Sequence, residues 1–227
     1  MSLSDKFSFK AIARTIAKLA SGAEAEPRLS QFGSLSVANV EPDGVDLTRA
    51  GRRFHLGNSA AITGIANATA LVTTAAQFAL YNDEAPGGKT FFFEKIGMYL
   101  TSGTPGAGGV LLGALFRLPV VAAPGTLYAG TKVTNANPAS SRGSKMSVKA
   151  SITISEPAAP NWFQIAINDS PNVGAFPGSG NFMSAPLRGS IALPPGYGLG
   201  LAVIGLAGTN PLWAPVAEWV ELETDNE

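Results

Sequence analysis

The chain has 227 residues, a formal net charge of zero and only 14% charged residues, whereas hydrophobic residues make up 45%. It has no cysteine and one histidine, which excludes disulfides, zinc sites built on thiolates and cysteine nucleophiles, and leaves few ways to build an acid–base catalyst. The neutral balance argues against general binding of nucleic acid through one basic face.

The N-terminal segment differs in pattern from the rest and predicts a helix from Asp5 to Ser21, which Gly22 can terminate. Apolar residues recur at spacings of three and four, namely Phe9, Ile12, Ile16 and Leu19. Basic residues recur every four positions as a second stripe, namely Lys6, Lys10, Arg14 and Lys18. Residues 23–33 are interpreted as a linker. Residues 1–33 are therefore predicted to form an N-terminal helix-and-linker arm, and residues 34–227 a separate domain.

No run of apolar residues is long enough to span a membrane, and lysines interrupt the N-terminal run that a secretory signal would need. The sequence therefore predicts a soluble protein made in a cytoplasm.

From Ser34 onward the chain alternates short β segments with turn residues. Pro-Gly pairs separate the segments, and this is turn chemistry because the proline ring fixes a negative φ and glycine accepts a positive one. The predicted strands are Ser34–Val40, Thr69–Thr74, Gln77–Tyr81, Thr90–Thr101, Val110–Leu118, Ser147–Ile154, Trp162–Asn168, Gly189–Leu193, Leu199–Leu206 and Ala217–Leu222.

The strand Ser147–Ile154 shows the cleanest alternation, with Val148, Ala150, Ile152 and Ile154 on one predicted face. Many short strands with such punctuation, and no long helices between them, predict an all-β fold. We expect a jelly-roll-like β-sandwich with a short N-terminal helical arm. The polar stretches 131–144 and 168–185 are predicted to be functional loops, because both are long for plain connections.

The motifs that resemble catalytic or ligand sites are better explained as structure. Gly87-Gly88-Lys89-Thr90 ends like a phosphate-binding loop but leads into a predicted strand rather than a helix, so we interpret it as a hairpin turn. The glycine-rich stretch 103–109 lacks a dinucleotide fingerprint, and His55 lacks a nucleophile elbow. Acidic residues are few between residues 47 and 217: Asp83, Glu84, Glu94, Glu156 and Asp169. A carboxylate pair for glycoside hydrolysis stays an open alternative, because the separation it requires is three-dimensional. We predict no cofactor and no metal.

Charge is segregated along the chain, since positions 1–20 carry four bases and positions 218–227 carry five acids. The basic helix can be a solvated face, or it can dock on the acidic surface of a partner subunit. Contact with nucleic acid or a membrane surface is the third alternative. Two tryptophans near the end are expected to anchor either the core or an oligomer interface. The candidate partner-binding residues are therefore Lys6, Phe9, Lys10, Ile12, Arg14, Ile16, Lys18, Trp213 and Trp219.

Two parts of the chain resemble structural proteins of tailed bacteriophages. The first joins Ala76–Asn82 to Gly88–Gly97 and reads as "N…GK" followed by an apolar strand. The second is the run Leu193-Pro194-Pro195-Gly196-Tyr197, followed by Trp219 and Glu221 as "W-x-E". The resemblance covers residues 70–120 and 190–222, about a third of the chain, and does not include the basic N-terminus.

The resemblance implies a β-sandwich that assembles as a trimer on the virion. We therefore expect a non-enzymatic capsid decoration or cement protein, assembled in the host cytoplasm, that binds the capsid shell protein. The alternatives are a receptor-binding or fibre-tip module that recognises a host glycan, the major capsid protein itself, and a polysaccharide-degrading enzyme.

Overall fold

A computed structural model describes residues 28–29, 35–36, 44–58, 64–106, 108–117, 126–128, 131–168, 182–205 and 208–223. The helix predicted from Asp5 to Ser21 lies outside the described residues. The chain divides into two units, Met1–Asp46 and Leu47–Glu227. The division predicted between residues 33 and 34 falls within the first unit.

In the first unit the described residues form a two-stranded antiparallel pair, β1 with β2. The strand predicted over Ser34–Val40 is seen there only as the two residues of β2. A short helix, α1 (Val45–Arg49), begins in the first unit and ends in the second. The strands are β1 (Arg28–Leu29), β2 (Leu35–Ser36), β3 (Arg53–Asn58), β4 (Ile65–Ala66), β5 (Ala75–Asn82), β6 (Lys89–Thr104), β7 (Gly109–Arg117), β8 (Thr126–Leu127), β9 (Thr131–Asn135), β10 (Met146–Thr153), β11 (Phe163–Asn168), β12 (Phe182–Leu193), β13 (Tyr197–Gly205) and β14 (Thr209–Glu223).

The second unit is a sandwich of two antiparallel sheets. Sheet I has the order β11-β7-β13-β5-β10-β8. Sheet II has the order β12-β6-β14-β3-β9, and β4 adds to one end of β14. Each strand therefore buries one side against the opposite sheet.

The eight principal strands pair in nested order, which is the topology of a jelly roll. Counted along the chain they are β3, β5, β6, β7, β11, β12, β13 and β14. The first pairs with the last, the second with the seventh, the third with the sixth and the fourth with the fifth. The predicted all-β, jelly-roll-like β-sandwich is thus confirmed.

Strands β8, β9 and β10 are an insertion between the fourth and fifth principal strands. One of them, β9, extends sheet II beside β3, and β10 with β8 extends sheet I beside β5. The insertion therefore widens both sheets beyond the eight-stranded core.

The core between the sheets is aromatic and aliphatic. Trp219, which is fully buried, stacks on Phe54 with ring centroids 5.9 Å apart and also contacts Phe91 and Phe93. The opposite sheet contributes Phe78, Leu80, Leu199 and Leu201, all fully buried. Burial of this apolar area is the main force that holds the two sheets together.

Several predicted elements differ from the structure. Residues 69–74 were predicted to be a strand but form bends that lead into β5. The polar stretch 131–144 contains a strand, since Thr131–Asn135 is β9 and pairs with β3. Residues 169–181 of the second predicted loop lie outside the described residues, and β12 begins at Phe182. The polar residues of β9 led to the prediction of a loop. They are compatible with a strand because β9 lies at the edge of sheet II and has one solvated face.

The predicted face of β10 is also wrong. Val148 and Ala150 pack in the core, whereas Ile152 and Ile154 belong to a second apolar cluster on the other side of sheet I. Ser151 lies between the two pairs with φ at 53°, in the left-handed region that non-glycine residues rarely adopt. The two-residue alternation is broken at this residue, so that the side chains after it lie on the opposite side of the sheet from the one that the alternation predicts.

Candidate functional site

Both candidate tryptophans are core residues. Trp213 is 3% exposed and Trp219 is fully buried, so neither ring is available on the surface of the folded chain. Of the two roles the sequence left open for these residues, anchoring the core is the one these positions fill. The other seven candidate partner-binding residues, from Lys6 to Lys18, lie outside the described residues.

The segments that resemble phage proteins converge at one end of the sandwich, on Asn82. This side chain is fully buried and its amide donates hydrogen bonds to the carbonyls of Lys89 and Leu193, both at 2.8 Å. Its Oδ1 accepts from the backbone N–H of Glu84, and its own carbonyl accepts from Gly196 N–H. One asparagine thereby ties the end of β5 to the start of β6 and to the turn before β13.

The other residues of the resemblance surround the same point. Glu221 is 1% exposed, and its Oε2 lies 3.3 Å from the Lys89 ammonium while its Oε1 accepts from the Trp219 indole N–H at 3.2 Å. Lys89 also lies 3.8 Å from Glu84. Because a buried carboxylate is tolerated only when it is paired and hydrogen-bonded, Lys89 and Trp219 make this glutamate possible. We name Asn82, Lys89, Glu221 and the Pro194–Tyr197 turn the clasp.

The clasp is a structural element rather than a ligand site. Its carboxylate and its amide are engaged inside the protein. The Gly87-Gly88-Lys89-Thr90 motif turns from β5 into β6, as the sequence predicted, and Gly87 takes a positive φ there.

Sheet I has a second apolar cluster on its outer face, the side away from the core. Phe116 and Tyr81, each 2% exposed, lie there with Ile152 and Ile154. Residues 154–162, which we name the cover segment, cross this face. Arg117 N–H bonds the Glu156 carbonyl, and the Trp162 indole N–H donates to the Thr73 carbonyl at 2.8 Å.

Two glycines of β13 make room for this covering layer. A Cβ on Gly198 would collide with the Phe116 ring, and one on Gly200 would lie 2.9 Å from the Ile154 side chain. Burial under the layer raises the pKa of Tyr81 to about 12, and the nearby carboxylate of Asp83 contributes to this rise. The chain thus buries the outer face of sheet I by itself.

Sheet II also has an apolar outer face, which we name the open face. Along β14, Trp213, Ala217 and Trp219 point to the core, so Val216, Glu218 and Val220 alternate to the opposite side. On the neighbouring strand, Phe92 lies beside Val220. Solvated sheet faces usually carry polar side chains, so an apolar outer face on the central strands points to contact with something else.

Charged groups lie at the centre of the open face. Lys95 and Glu218 are cross-strand partners, and His55 is the partner of Glu218 on the other side. His55 Nδ1 lies 3.8 Å from Glu218 Oε1, and the Lys95 ammonium lies 5.3 Å from the centre of the Phe182 ring. These residues and Val216 line one shallow depression.

A third feature is a group of arginines that we name the basic end. It consists of Arg52 and Arg53, where β3 begins, and Arg142, in the segment that follows β9. Asn135 donates to the carbonyls of Gly51 at 2.9 Å and Arg142 at 3.2 Å, so these two backbones lie side by side. Gly51 takes a φ of 67° and contacts Ser140 so closely that a Cβ could not be accommodated. This close approach places the Gly51 backbone, one residue before Arg52, near the backbone of Arg142.

In the described part of the chain, no carboxylate forms an ion pair with Arg52, Arg53 or Arg142. The Nε of Arg53 is buried without a hydrogen-bond partner. Like charges gathered without counterions favour an anionic partner.

Sequence reasoning did not identify the open face or the basic end. The signal for the first was present in Trp213–Val220, where apolar residues occupy both alternating faces of one strand. The basic end had no such signal, because the 49–53 and 136–145 segments meet only through the pairing of β3 with β9.

Among the described residues, no three histidine, aspartate or glutamate side chains gather closely enough to hold a metal ion. No helix in the same residues has the length and apolarity needed to cross a membrane.

Comparison of the chain with protein-family models, with curated proteins and with solved structures finds no match.

Proposed function

We propose that the chain is a virion structural protein of a tailed bacteriophage, a decoration or cement protein that binds the capsid shell and stabilises it. Its contacts are oligomeric and non-catalytic, with a homotrimer as the expected assembly and the virion as its location. Many weak contacts from repeated copies give strong total binding without a deep ligand pocket.

The convergence of the resemblance on the clasp is the observation that carries this proposal. Its four pieces are spread along the chain from Asn82 to Glu221, yet they share one hydrogen-bonded cluster. The strands that carry these pieces pair with one another, β13 with β5 and β14 with β6, and bring them to one end of the sandwich. The likeness therefore concerns the packing of a complete jelly-roll end.

The surface supports a contact function as well. The basic end includes exposed Arg142 and partly exposed Arg52 on a chain whose net charge is zero. Such a local patch suits an acidic surface of a partner protein better than a long polyanion, since a nucleic-acid-binding domain is expected to be basic overall. In this proposal the basic end meets the shell.

The test is cosedimentation of the purified chain with capsid shells of its own phage assembled without it. We expect saturable binding that weakens with salt, because exposed charge contacts are screened. Arg142→Glu should weaken binding about tenfold or more, because the new carboxylate faces acidic groups. Arg117→Glu is the matched control, as Arg117 is an exposed arginine on β7, and it should bind like the unmodified chain.

Absence of any binding to such shells would overturn the proposal. If the same protein then bound host-cell glycans, a receptor-binding module would replace it. Formation of shells by the chain alone would identify it as the major capsid protein.

A further inference from the structure

We propose that the open face of sheet II is the surface through which copies of this chain associate, with Lys95 of one copy contacting Glu218 of the next. The inference deepens the proposed function by naming its self-association surface, but it rests on separate observations.

The first observation is the contrast between the two outer faces. Sheet I buries its outer apolar residues beneath the cover segment, and Phe116 there is 2% exposed. The open face has apolar residues at matching places on its central strands. Phe92 and Val216 are only partly buried, whereas Val220 beside Phe92 is 2% exposed. Within the described part of the chain, no segment crosses this face as residues 154–162 cross the other.

The second observation is that Lys95 and Glu218 form no ion pair with each other, although Glu218 Oε1 lies 3.8 Å from His55 Nδ1. Lys95 and Glu218 are directly opposite on neighbouring strands, where opposite charges commonly interact. Yet their charged atoms form no ion pair, and the Lys95 ammonium lies over the ring of Phe182 instead. Lys95 and Glu218, whose side chain is 40% exposed, thus both line the apolar depression without neutralising each other.

The third observation is that the face is complementary to itself. It holds one cation and one anion side by side, with Val216 and Phe182 around them. When two or three copies close a ring about an axis near this point, each Lys95 can reach the Glu218 of a neighbour. A partner surface that carries only one sign of charge would place a like charge against either Lys95 or Glu218. A second copy satisfies both.

The experiment measures solution mass by light scattering on the full chain over a range of concentrations. The unmodified chain is expected to show a multiple of 23.3 kDa. Lys95→Glu gives a face with two acids, and Glu218→Lys gives a face with two bases. Each variant alone should fall to 23.3 kDa, or show a Kd for association raised at least about tenfold.

Mixing the two variants is the decisive step, because an acidic face then meets a basic one. We expect the mixture to regain oligomers that neither variant forms alone, whereas Arg117→Glu, with a charge reversal on β7 of sheet I, keeps the original mass. Far-ultraviolet circular dichroism and urea unfolding of each variant show that the fold is intact.

Three outcomes would overturn this inference: an unmodified chain that stays monomeric, a mass unaffected by either variant, or a mixture that stays monomeric. A monomeric chain whose open face is protected from hydrogen exchange would show that another part of the same chain covers it. Shell binding measured in parallel separates the two proposals. Shell binding without self-association would support the capsid-binding function and contradict the proposed role of the open face. Self-association without shell binding would support the role of the open face and contradict the capsid-binding function.

Discussion

The outer faces of the two sheets both carry apolar side chains, but among the described residues a segment of the chain crosses only the face of sheet I. Both sheets place apolar side chains away from the core, which is unusual for a sandwich whose outer faces meet water. On sheet I the chain returns after β10 and covers them with residues 154–162. On sheet II, Phe92 and Val216 stay partly exposed beside Lys95 and Glu218, whereas Val220 on the same side is 2% exposed.

The difference shows that outward apolar residues in a strand do not by themselves indicate what covers them. On sheet I, glycine leaves room for the covering layer, since a Cβ on Gly198 would collide with the Phe116 ring and one on Gly200 would lie 2.9 Å from the end of the Ile154 side chain. The open face also has a tightly packed glycine, since a Cβ on Gly97, the partner of Val216, would lie 2.6 Å from the Met183 carbonyl oxygen of β12. The two outer faces therefore differ in the segment that lies over them within the described residues, and not in whether they contain glycine.

The largest expected effect is on the covered face. Phe116→Ala removes a side chain that is 2% exposed beneath the cover segment, and should lower the free energy of unfolding by about 3–5 kcal/mol. Phe92→Ala on the open face removes a partly exposed ring and should cost about 1 kcal/mol in the monomer. Urea unfolding of both variants measures the difference. Equal losses would mean that the open face is also covered within the chain.

A smaller loss is expected at the clasp, which belongs to neither outer face. Asn82→Ala removes both donors to the Lys89 and Leu193 carbonyls in a buried site and should cost about 2–4 kcal/mol. Asn135→Ala removes a side-chain amide that also bonds two carbonyls but is less buried, and should cost less. Thermal and urea unfolding give both values. An Asn82 variant as stable as the parent would show that water replaces its hydrogen bonds.

The smallest effect concerns the protonation of Tyr81 under the cover segment. Its pKa is raised from 10.0 to about 12, so the folded chain holds this proton more tightly than the unfolded chain does. The stability that depends on this proton is complete below pH 10 and is lost as the pH rises toward 12. Tyr81→Phe should flatten this part of the profile, measured as unfolding free energy against pH. The Tyr128 pKa, also raised to about 12, is common to both proteins and serves as the internal reference.

Much of the fold could be predicted from the sequence because turn chemistry and alternation are local. The Pro-Gly turns and the apolar strands indicated the fold class and most principal strands, and Gly87-Gly88 was correctly taken as a turn. The edge strand β9 was not predicted because its polar face makes it resemble a loop. Strand β3 was not predicted either, since the charged residues Arg52 and Arg53 stand where it begins. The turn in β10 at Ser151 had no signal, since a serine in the left-handed region depends on its surroundings.

The candidate sites depended more on tertiary structure. By itself the sequence determined that this protein is an all-β sandwich, free of cysteine chemistry and neutral in charge, because those properties follow from residue type and short-range order. Only the tertiary structure placed Trp213 and Trp219 in the core, joined Asn82 to Glu221, and set Lys95 beside Glu218 on an open face. Those relations arise from the nested pairing of strands far apart in the chain, and no local pattern encodes that pairing.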